Sequence, residues 1–295
     1  LYRMTNRISV LFKEFPGARE LEYLWPASKE NEMRFYHVIG VLILMISAIE
    51  SSSYAMKEKM PGLLIPMPLS VQPGPGSGFE ITSQTLVVCD PKLTATADFL
   101  AAFLNRAGIP IRRSLLDEKT SSPSKDAILL QLDPVMYPTT DSYGLKVSAQ
   151  GIRISGSSPA GVFYGIQTLR QLLPASVETS PKTAVRYLVV PAVEIRDQPA
   201  LGWRGLMLDC SRHFMDVATL KQLLDVMAFL KMNRFHWHLI DGNGWRLQSD
   251  KYPLLTEKAA WRGPANARYG GFYSKADVRE IVAYAARRHV LIVPE

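Results

Sequence analysis

Leu206-Met207-Leu208-Asp209 is a short apolar run that ends in a charged residue, and the pattern of residues downstream of it decides the fold. Asp216 stands where it can cap a helix whose Leu220, Leu223, Leu224, Met227 and Leu230 form one apolar stripe. Phe235 to Ile240 then reads as a second strand with a long loop after it. Ser274 and Asp277 have capping-box spacing ahead of a helix bearing Ile281, Val282 and Ala285, and Val290 to Val293 is a third strand. Strand, helix, strand, helix, strand is the opening of a parallel α/β unit. A (β/α)8 TIM barrel needs eight such strands and about 250 residues. Residues 196–295 therefore predict roughly the first three strands of an incomplete barrel, or else a smaller parallel sheet.

Upstream the rhythm differs. Met60 to Gly78 is rich in proline and glycine and reads as an extended entry with turns. Thr85 to Cys89, Ala127 to Leu132 and Tyr143 to Ser148 read as strands, with Gly151 to Ser155 pairing back on the last across a tight turn. Thr94 to Ala107 carries Leu100, Phe103 and Leu104 on one helical face, and Gly161 to Leu173 reads as a second helix. Residues 56–195 thus predict a small α+β domain ahead of the barrel portion, an α/β chain overall.

The first 55 residues stand apart. Met33-Arg34-Phe35-Tyr36-His37 leads into the 12-residue apolar stretch Val38 to Ile49, then Ser51-Ser52-Ser53-Tyr54-Ala55, the pattern of a secretory signal cleaved after Ala55. The stretch is shorter than the about 20 residues of a membrane span, so no stable span is expected after cleavage. Residues 1–32 read as an upstream extension and 33–55 as the signal peptide, which directs the chain to a secreted or periplasmic location. With 34 Lys and Arg against 27 Asp and Glu, the charge is +7, but the basic residues are interspersed with acidic ones, which excludes a nucleic-acid-binding stripe. Two cysteines, Cys89 and Cys210, make no disulfide scaffold, and we expect free thiols.

Ionisable groups gather where the predicted strands end. Asp209, Arg212 and His213 follow the first strand, with Arg204 just before it, and His236, His238, Asp241, Asn243, Trp245 and Arg246 lie on or after the second. The carboxyl ends of parallel strands are where such folds bind substrates. His236 and His238 share one side of a strand, but no ligand spacing supports a metal, and the reading favoured is of packed histidines around a wall-facing Trp237. Arg204 is either a structural ion-pair partner or a multi-donor clamp on hydroxyls or a carboxylate. Trp245, Trp261, Tyr269 and Tyr273 offer flat faces suited to sugar rings or to packing. Asp209 and Asp241 are the carboxyl groups placed for glycoside hydrolysis, although nothing local marks either as an acid of raised pKa. No phosphate loop, nucleophile elbow or dinucleotide fingerprint is present, and no cofactor is expected.

The run Trp203-Arg204-Gly205-Leu206-Met207-Leu208-Asp209-Cys210-Ser211-Arg212-His213-Phe214, then Lys231 to Asp241, then Gly244-Trp245-Arg246, closely resembles the family 20 glycoside hydrolases, the β-N-acetylhexosaminidases. Gly271-Phe272-Tyr273, Val293-Pro294-Glu295 and, upstream, Gly161-Val162-Phe163-Tyr164-Gly165 continue the likeness. The resemblance implies release of terminal N-acetylglucosamine or N-acetylgalactosamine from β-linked glycans with retention. The substrate's acetamido oxygen acts as nucleophile, an aspartate orients it, and the next glutamate is the general acid/base. That Asp-Glu pair follows the fourth barrel strand in the family and is expected beyond Glu295, so the chain is expected to be an inactive fragment as it stands. By the same resemblance Arg204 grips the hydroxyls of the terminal sugar and Asp241 supports a histidine further on, and Asp209, His213, His238 and Trp245 are further site candidates. The family's second acidic residue after Asp241 is replaced here by Gly242-Asn243. The competing reading is a non-catalytic carbohydrate-binding protein on a partial barrel.

Overall fold

The computed structural model describes residues 64–116, 125–179 and 186–295. The extension read at 1–32 and the signal segment read at 33–55 lie outside them. No helix among the described residues is long and apolar enough to cross a membrane.

Strands β1 (Ser70–Pro73), β2 (Phe79–Thr82) and β3 (Leu86–Cys89) come first, then helix α1 (Thr94–Arg106) and β4 (Arg112–Leu115). They are followed by β5 (Ala127–Leu132), β6 (Tyr143–Ser148), β7 (Gly151–Gly156), helix α2 (Pro159–Leu172), the single turn α3 (Ser176–Thr179), β8 (Tyr187–Val190) and β9 (Val193–Asp197). Seven of these strands form one mixed sheet in the order β1-β9-β6-β7-β5-β3-β4, and β2 pairs with β8 in a separate ribbon. The register lines apolar residues into rows across the sheet. Val193, Val147, Ile152, Ile128 and Val87 make one, and Ile195, Leu145, Ile154, Leu130 and Cys89 make the next. All ten are buried in one core with Leu100, Phe103, Leu104 and Ile166 of the two helices.

Helix α2 shows why its motif has glycine twice. Ser158 caps it, accepting from the Gly161 N–H at 3.1 Å, and Pro159 sits in the first turn. A Cβ on Gly161 would lie 2.5 Å from the Ser142 carbonyl oxygen, and one on Gly165 would lie 2.4 Å from Ile154 Cγ2. The two glycines, one helical turn apart, let the helix settle directly onto β6 and β7.

The remaining elements are β10 (Gly205–Asp209), helix α4 (Val217–Phe229), β11 (Arg234–His238), β12 (Ile240–Asp241), β13 (Gly244–Trp245), α5 (Leu254–Glu257), β14 (Trp261–Arg262), β15 (Tyr269–Gly270), α6 (Lys275–Ala286) and β16 (Leu291–Pro294). Strands β10, β11 and β16 lie side by side, all parallel. Asp216 caps α4, and Ser274 with Asp277 forms a complete capping box on α6. The second strand is shorter than its apolar run suggests. It ends at His238, and Ile240–Asp241 turns away to pair antiparallel with Gly244–Trp245. Phe235 and Trp237 are buried with Leu220, Leu224, Ile281 and Ala285 of the helices. Val282 on the same helix is 45% exposed, because one residue past Ile281 is about 100° further round the helix. His236 and His238 alternate to the other side of the sheet. Met207 (55% exposed) and Leu291 (57%) share that open side, which is the inner wall of an incomplete barrel.

The two layers are joined by a buried polar link. Lys231, at φ 59° in the turn after α4, sends its Nζ to the Tyr143 hydroxyl (2.7 Å) and to Asp197 Oδ2 (3.1 Å). The Tyr143 hydroxyl donates to Asp197 Oδ2 at 2.8 Å and lies 2.6 Å from Thr168 Oγ1. Burial pushes the Lys231 ammonium below its usual range, with Asp197 opposing the shift.

Candidate active site

The parallel register brings Asp209 beside His238 at the carboxyl ends of β10 and β11. Three residues past Asp209 the chain has turned back, so that the Arg212 N–H donates to Asp209 Oδ1 at 3.0 Å and Arg212 Nη1 to Asp209 Oδ2 at 2.8 Å. Arg212 Nη2 lies 2.6 Å from Asp241 Oδ2, and Nη1 lies 3.1 Å from His238 Nε2. His238 Nε2 is also 3.2 Å from Asp241 Oδ2, while its Nδ1 is 2.7 Å from Glu295 Oε2. His236 Nε2 approaches the same Glu295 oxygen at 2.5 Å. The result is an open cluster of three carboxylates, two imidazoles and one guanidinium.

Its charges are mutually stabilised. Burial would raise the Asp209 carboxyl, but hydrogen bonds from Arg212 outweigh it and hold the group below the usual range. The Gly242 N–H and Arg212 hold Asp241 low, against a smaller opposing effect of burial. Glu295 is depressed by His238 and then His236, and it in turn raises His238, with Asp241 adding to the effect. Asp209 and Asp241 are thus ionised hydrogen-bond acceptors, not acids of raised pKa, which removes both from the role of general acid.

The loops around the cluster are held by Arg246, whose side chain is fully buried and has no carboxylate partner among the described residues. Its Nε donates to the Cys210 carbonyl (2.8 Å), Nη2 to that of Ser211 (2.8 Å), and Nη1 to those of Ala260 (2.5 Å) and Gly271 (2.9 Å). One guanidinium therefore ties the segment after β10 to the β14–β15 hairpin and the approach to α6. Arg262 donates to the Arg212 carbonyl, and Ser211 Oγ to the Gly244 carbonyl at 2.8 Å.

The structure revises several of the expected roles. Arg204 precedes β10 and lies at its amino end, whereas the cluster lies at the carboxyl end. Its Nε donates to the Lys231 carbonyl (2.8 Å), its Nη1 to that of Leu201 (2.7 Å), and its Nη2 is 3.5 Å from Asp141 Oδ2. These partners are those of the structural reading of Arg204, and they hold its guanidinium at the opposite end of the strand from the cluster. Tyr273 is fully buried, donating to the Met215 carbonyl at 2.5 Å, and presents no face to a sugar. Trp245 is half-buried with its Nε1 on the Leu247 carbonyl (2.5 Å), and the His213 ring lies tilted at 39° to that of Tyr269 with centres 5.2 Å apart, its imidazole kept low by burial and by Arg262. Asp241 Oδ2 lies 3.2 Å from His238 Nε2, whereas the histidine further on that the resemblance pairs with Asp241 is not among the described residues. The histidines reach a neighbouring strand end, as the packed reading expects, but on the open face and not in the core. Among the described residues no three His, Cys, Asp or Glu side chains are arranged to hold a metal.

Arg212 and Glu295 are central here; the sequence places Arg212 among the groups after the first strand, but gives neither residue a role in the site. The signal for Arg212 is its place three residues beyond a strand-ending aspartate. For Glu295 it is the Pro-Glu step after the third strand. A separate open cleft of about 850 Å³ is lined by Asp250, Glu257, Trp261, Arg268 and Phe272 among others, and shares no residue with the cluster.

Comparison with known proteins bears on both layers. The model described as Glycosyl hydrolase family 20, domain 2, matches residues 63–198, and that described as Glycosyl hydrolase family 20, catalytic domain, matches residues 201–295. A β-hexosaminidase of Porphyromonas gingivalis is 39% identical over 86% of this chain and 33% of its own length. A β-N-acetylhexosaminidase of Cellulomonas fimi is 32% identical over 79% of this chain and 45% of its own. The chain spans about a third of the length of the first of these. Among solved structures, a mutant Streptomyces plicatus β-hexosaminidase in complex with product (GlcNAc) has 35% identity and a TM-score of 0.70, covering 81% of this chain and 46% of that one. The exo β-N-acetylglucosaminidase of Vibrio harveyi in complex with N-acetylglucosamine has 30% identity and a TM-score of 0.67, covering 81% and 37%. The chain belongs to glycosyl hydrolase family 20, of which it carries the second domain and part of the catalytic barrel.

Proposed function

We propose that these residues serve a β-N-acetylhexosaminidase that removes terminal N-acetylglucosamine or N-acetylgalactosamine from β-linked glycans, by retaining, substrate-assisted hydrolysis in the whole enzyme. The observation that carries this reading is the Arg212 cluster. A guanidinium anchored on Asp209 and Asp241, yet with half its side chain exposed, is a planar fork of donors set at the substrate-binding end of three parallel strands. Such a group suits neighbouring hydroxyls of one sugar ring, since two carboxylates fix its plane and its Nε–H has no partner among the described residues. We therefore place the hydroxyl clamp on Arg212 and not on Arg204. Asp241 and His238 position it.

The Asp-Glu pair that orients the acetamido group and handles the proton is assigned to the part of the barrel after a fourth strand, outside the three strands described. A secreted or periplasmic location, from the segment at 33–55, suits an enzyme acting on glycans and stands as part of the same proposal.

The test is hydrolysis of an aryl N-acetyl-β-glucosaminide by the protein purified from its own cells, with the anomer of the first-formed product followed by NMR. Release of the β-anomer, with kcat/KM falling about a hundredfold or more in Arg212→Met, is expected. Absence of turnover, or first release of the α-anomer, would overturn the reading.

A further inference from the structure

Glu295 follows β16 and its main chain is locked into the parallel ladder. Its N–H donates to the Trp237 carbonyl at 3.0 Å, and its carbonyl accepts from the Leu239 N–H at 2.7 Å. Two backbone bonds on either side of His238 thus deliver this carboxylate to the edge of the imidazole ring. The groups facing that ring are Glu295 beyond β16, His236 on β11, Asp241 on β12, Asp209 at the end of β10 and Arg212 after it.

We infer that Glu295 is a positioning residue, whose carboxylate holds the Nδ1–H form of His238 and thereby keeps Nε2 free to take a hydrogen bond from Arg212. A carboxylate has no proton to give, so His238 Nδ1 must be the donor across the 2.7 Å contact. In the neutral ring Nε2 is then a lone pair, and Arg212 Nη1, with one N–H on Asp209, turns its other N–H to it at 3.1 Å. When the ring takes up a proton, it arrives at Nε2 and converts an acceptor into a donor. Nε2 can no longer accept from Arg212 and pairs with Asp241 Oδ2, 3.2 Å away, an oxygen that Arg212 Nη2 already uses. The second imidazole adds to the constraint, because His236 Nε2 donates to the same Glu295 oxygen and limits its swing. Glu295 raises the proton affinity of His238 more than any other neighbour, in keeping with this arrangement. The part of this inference that concerns sugar binding rests on the proposed role of Arg212; the part that concerns the tautomer does not.

Nitrogen NMR of histidine-labelled chain, without sugar, reads the tautomer and the titration of His238 directly. The wild-type chain is expected to show a protonated Nδ1 and an unprotonated Nε2 in neutral His238. Glu295→Gln, isosteric but uncharged, is expected to lower the proton affinity of His238 about tenfold or more and to give a mixture of tautomers. His236→Gln, which keeps the carboxylate, is expected to leave the Nδ1–H form dominant. A folded Glu295→Gln chain with unchanged tautomer and titration would overturn the inference, as would an Nε2–H ring in the wild type. Adding N-acetylglucosamine to the wild-type chain and following the Arg212 Nε resonance tests the sugar reading separately, so that either can fail alone.

Discussion

Gly244 lies directly against the guanidinium of Arg246: a Cβ at Gly244 would sit 2.5 Å from both Cζ and Nη2. The spacing in Gly244-Trp245-Arg246 thus has a steric cause, since the arginine folds back beneath its own strand to reach four carbonyl oxygens. Because the guanidinium is fixed by those bonds, it cannot retreat from an added methyl group. Gly244→Ala is expected to destabilise the chain by about 2 kcal/mol. Arg246→Met, which leaves buried carbonyls without donors, is expected to cost on the order of 3 kcal/mol or more. Urea unfolding followed by tryptophan fluorescence checks both, and a loss under about 0.5 kcal/mol in either would refute the account.

The link between Lys231 and Asp197 makes a second prediction. Lys231→Met strands a largely buried carboxylate and a tyrosine hydroxyl, and about 3 kcal/mol of stability should be lost. Adding Asp197→Asn to that variant removes the uncompensated charge. The double mutant is therefore expected to be more stable than the sum of the single effects by about 1–3 kcal/mol. Strict additivity in the double-mutant cycle would show that the pair does not join the two layers energetically.

Stability should also depend on pH with a definite sign. The folded-state pKa of His238 is raised above its ordinary 6.5, so its contribution is fully present below 6.5 and is lost as pH rises through the folded value. Asp209, Asp241 and Glu295 are depressed below their ordinary 3.8, 3.8 and 4.5, so theirs is present above those values and is lost as pH falls. The cluster is expected to stabilise the chain most between about pH 4.5 and 6.5. Thermal melts carried above pH 6.5, through the raised folded-state pKa of His238, should show His238→Gln flattening the alkaline side of the profile. An unchanged alkaline limb would contradict the raised affinity.

Much of the fold is legible in the residues alone, and the gaps have physical reasons. Ala127–Leu132 and Tyr143–Ser148 stand where their apolar runs and flanking turns put them, and so do the caps at Asp216 and Ser274. Arg112–Leu115 is a polar edge strand, exposed along its whole length, and shows no alternation to read. The site is harder because its bonds cross long sequence separations. Arg246 is satisfied wholly by main-chain carbonyls, and Glu295 meets its histidines only through the parallel register. Residue type says that a guanidinium can grip hydroxyls; only the fold says at which end of the strand it stands.

Arg204 and Arg212 give the sharpest test of that distinction. They flank the same strand, eight residues apart in sequence, and differ in what they touch. Arg204 is mostly buried, and its main partners are the carbonyls of Lys231 and Leu201, so Arg204→Ala removes structural donors and should cost about 2 kcal/mol. Arg212 has 51% of its side chain exposed and pairs with carboxylates that remain solvated, so Arg212→Ala should change stability by less than about 1 kcal/mol. Sugar response should run the other way. A shift of the His238 ring resonances on addition of N-acetylglucosamine is expected to survive in Arg204→Ala and to vanish in Arg212→Ala. If it vanishes in Arg204→Ala while that chain stays folded, the clamp belongs at the amino end of the strand after all, and the assignment of the site to the carboxyl ends is wrong.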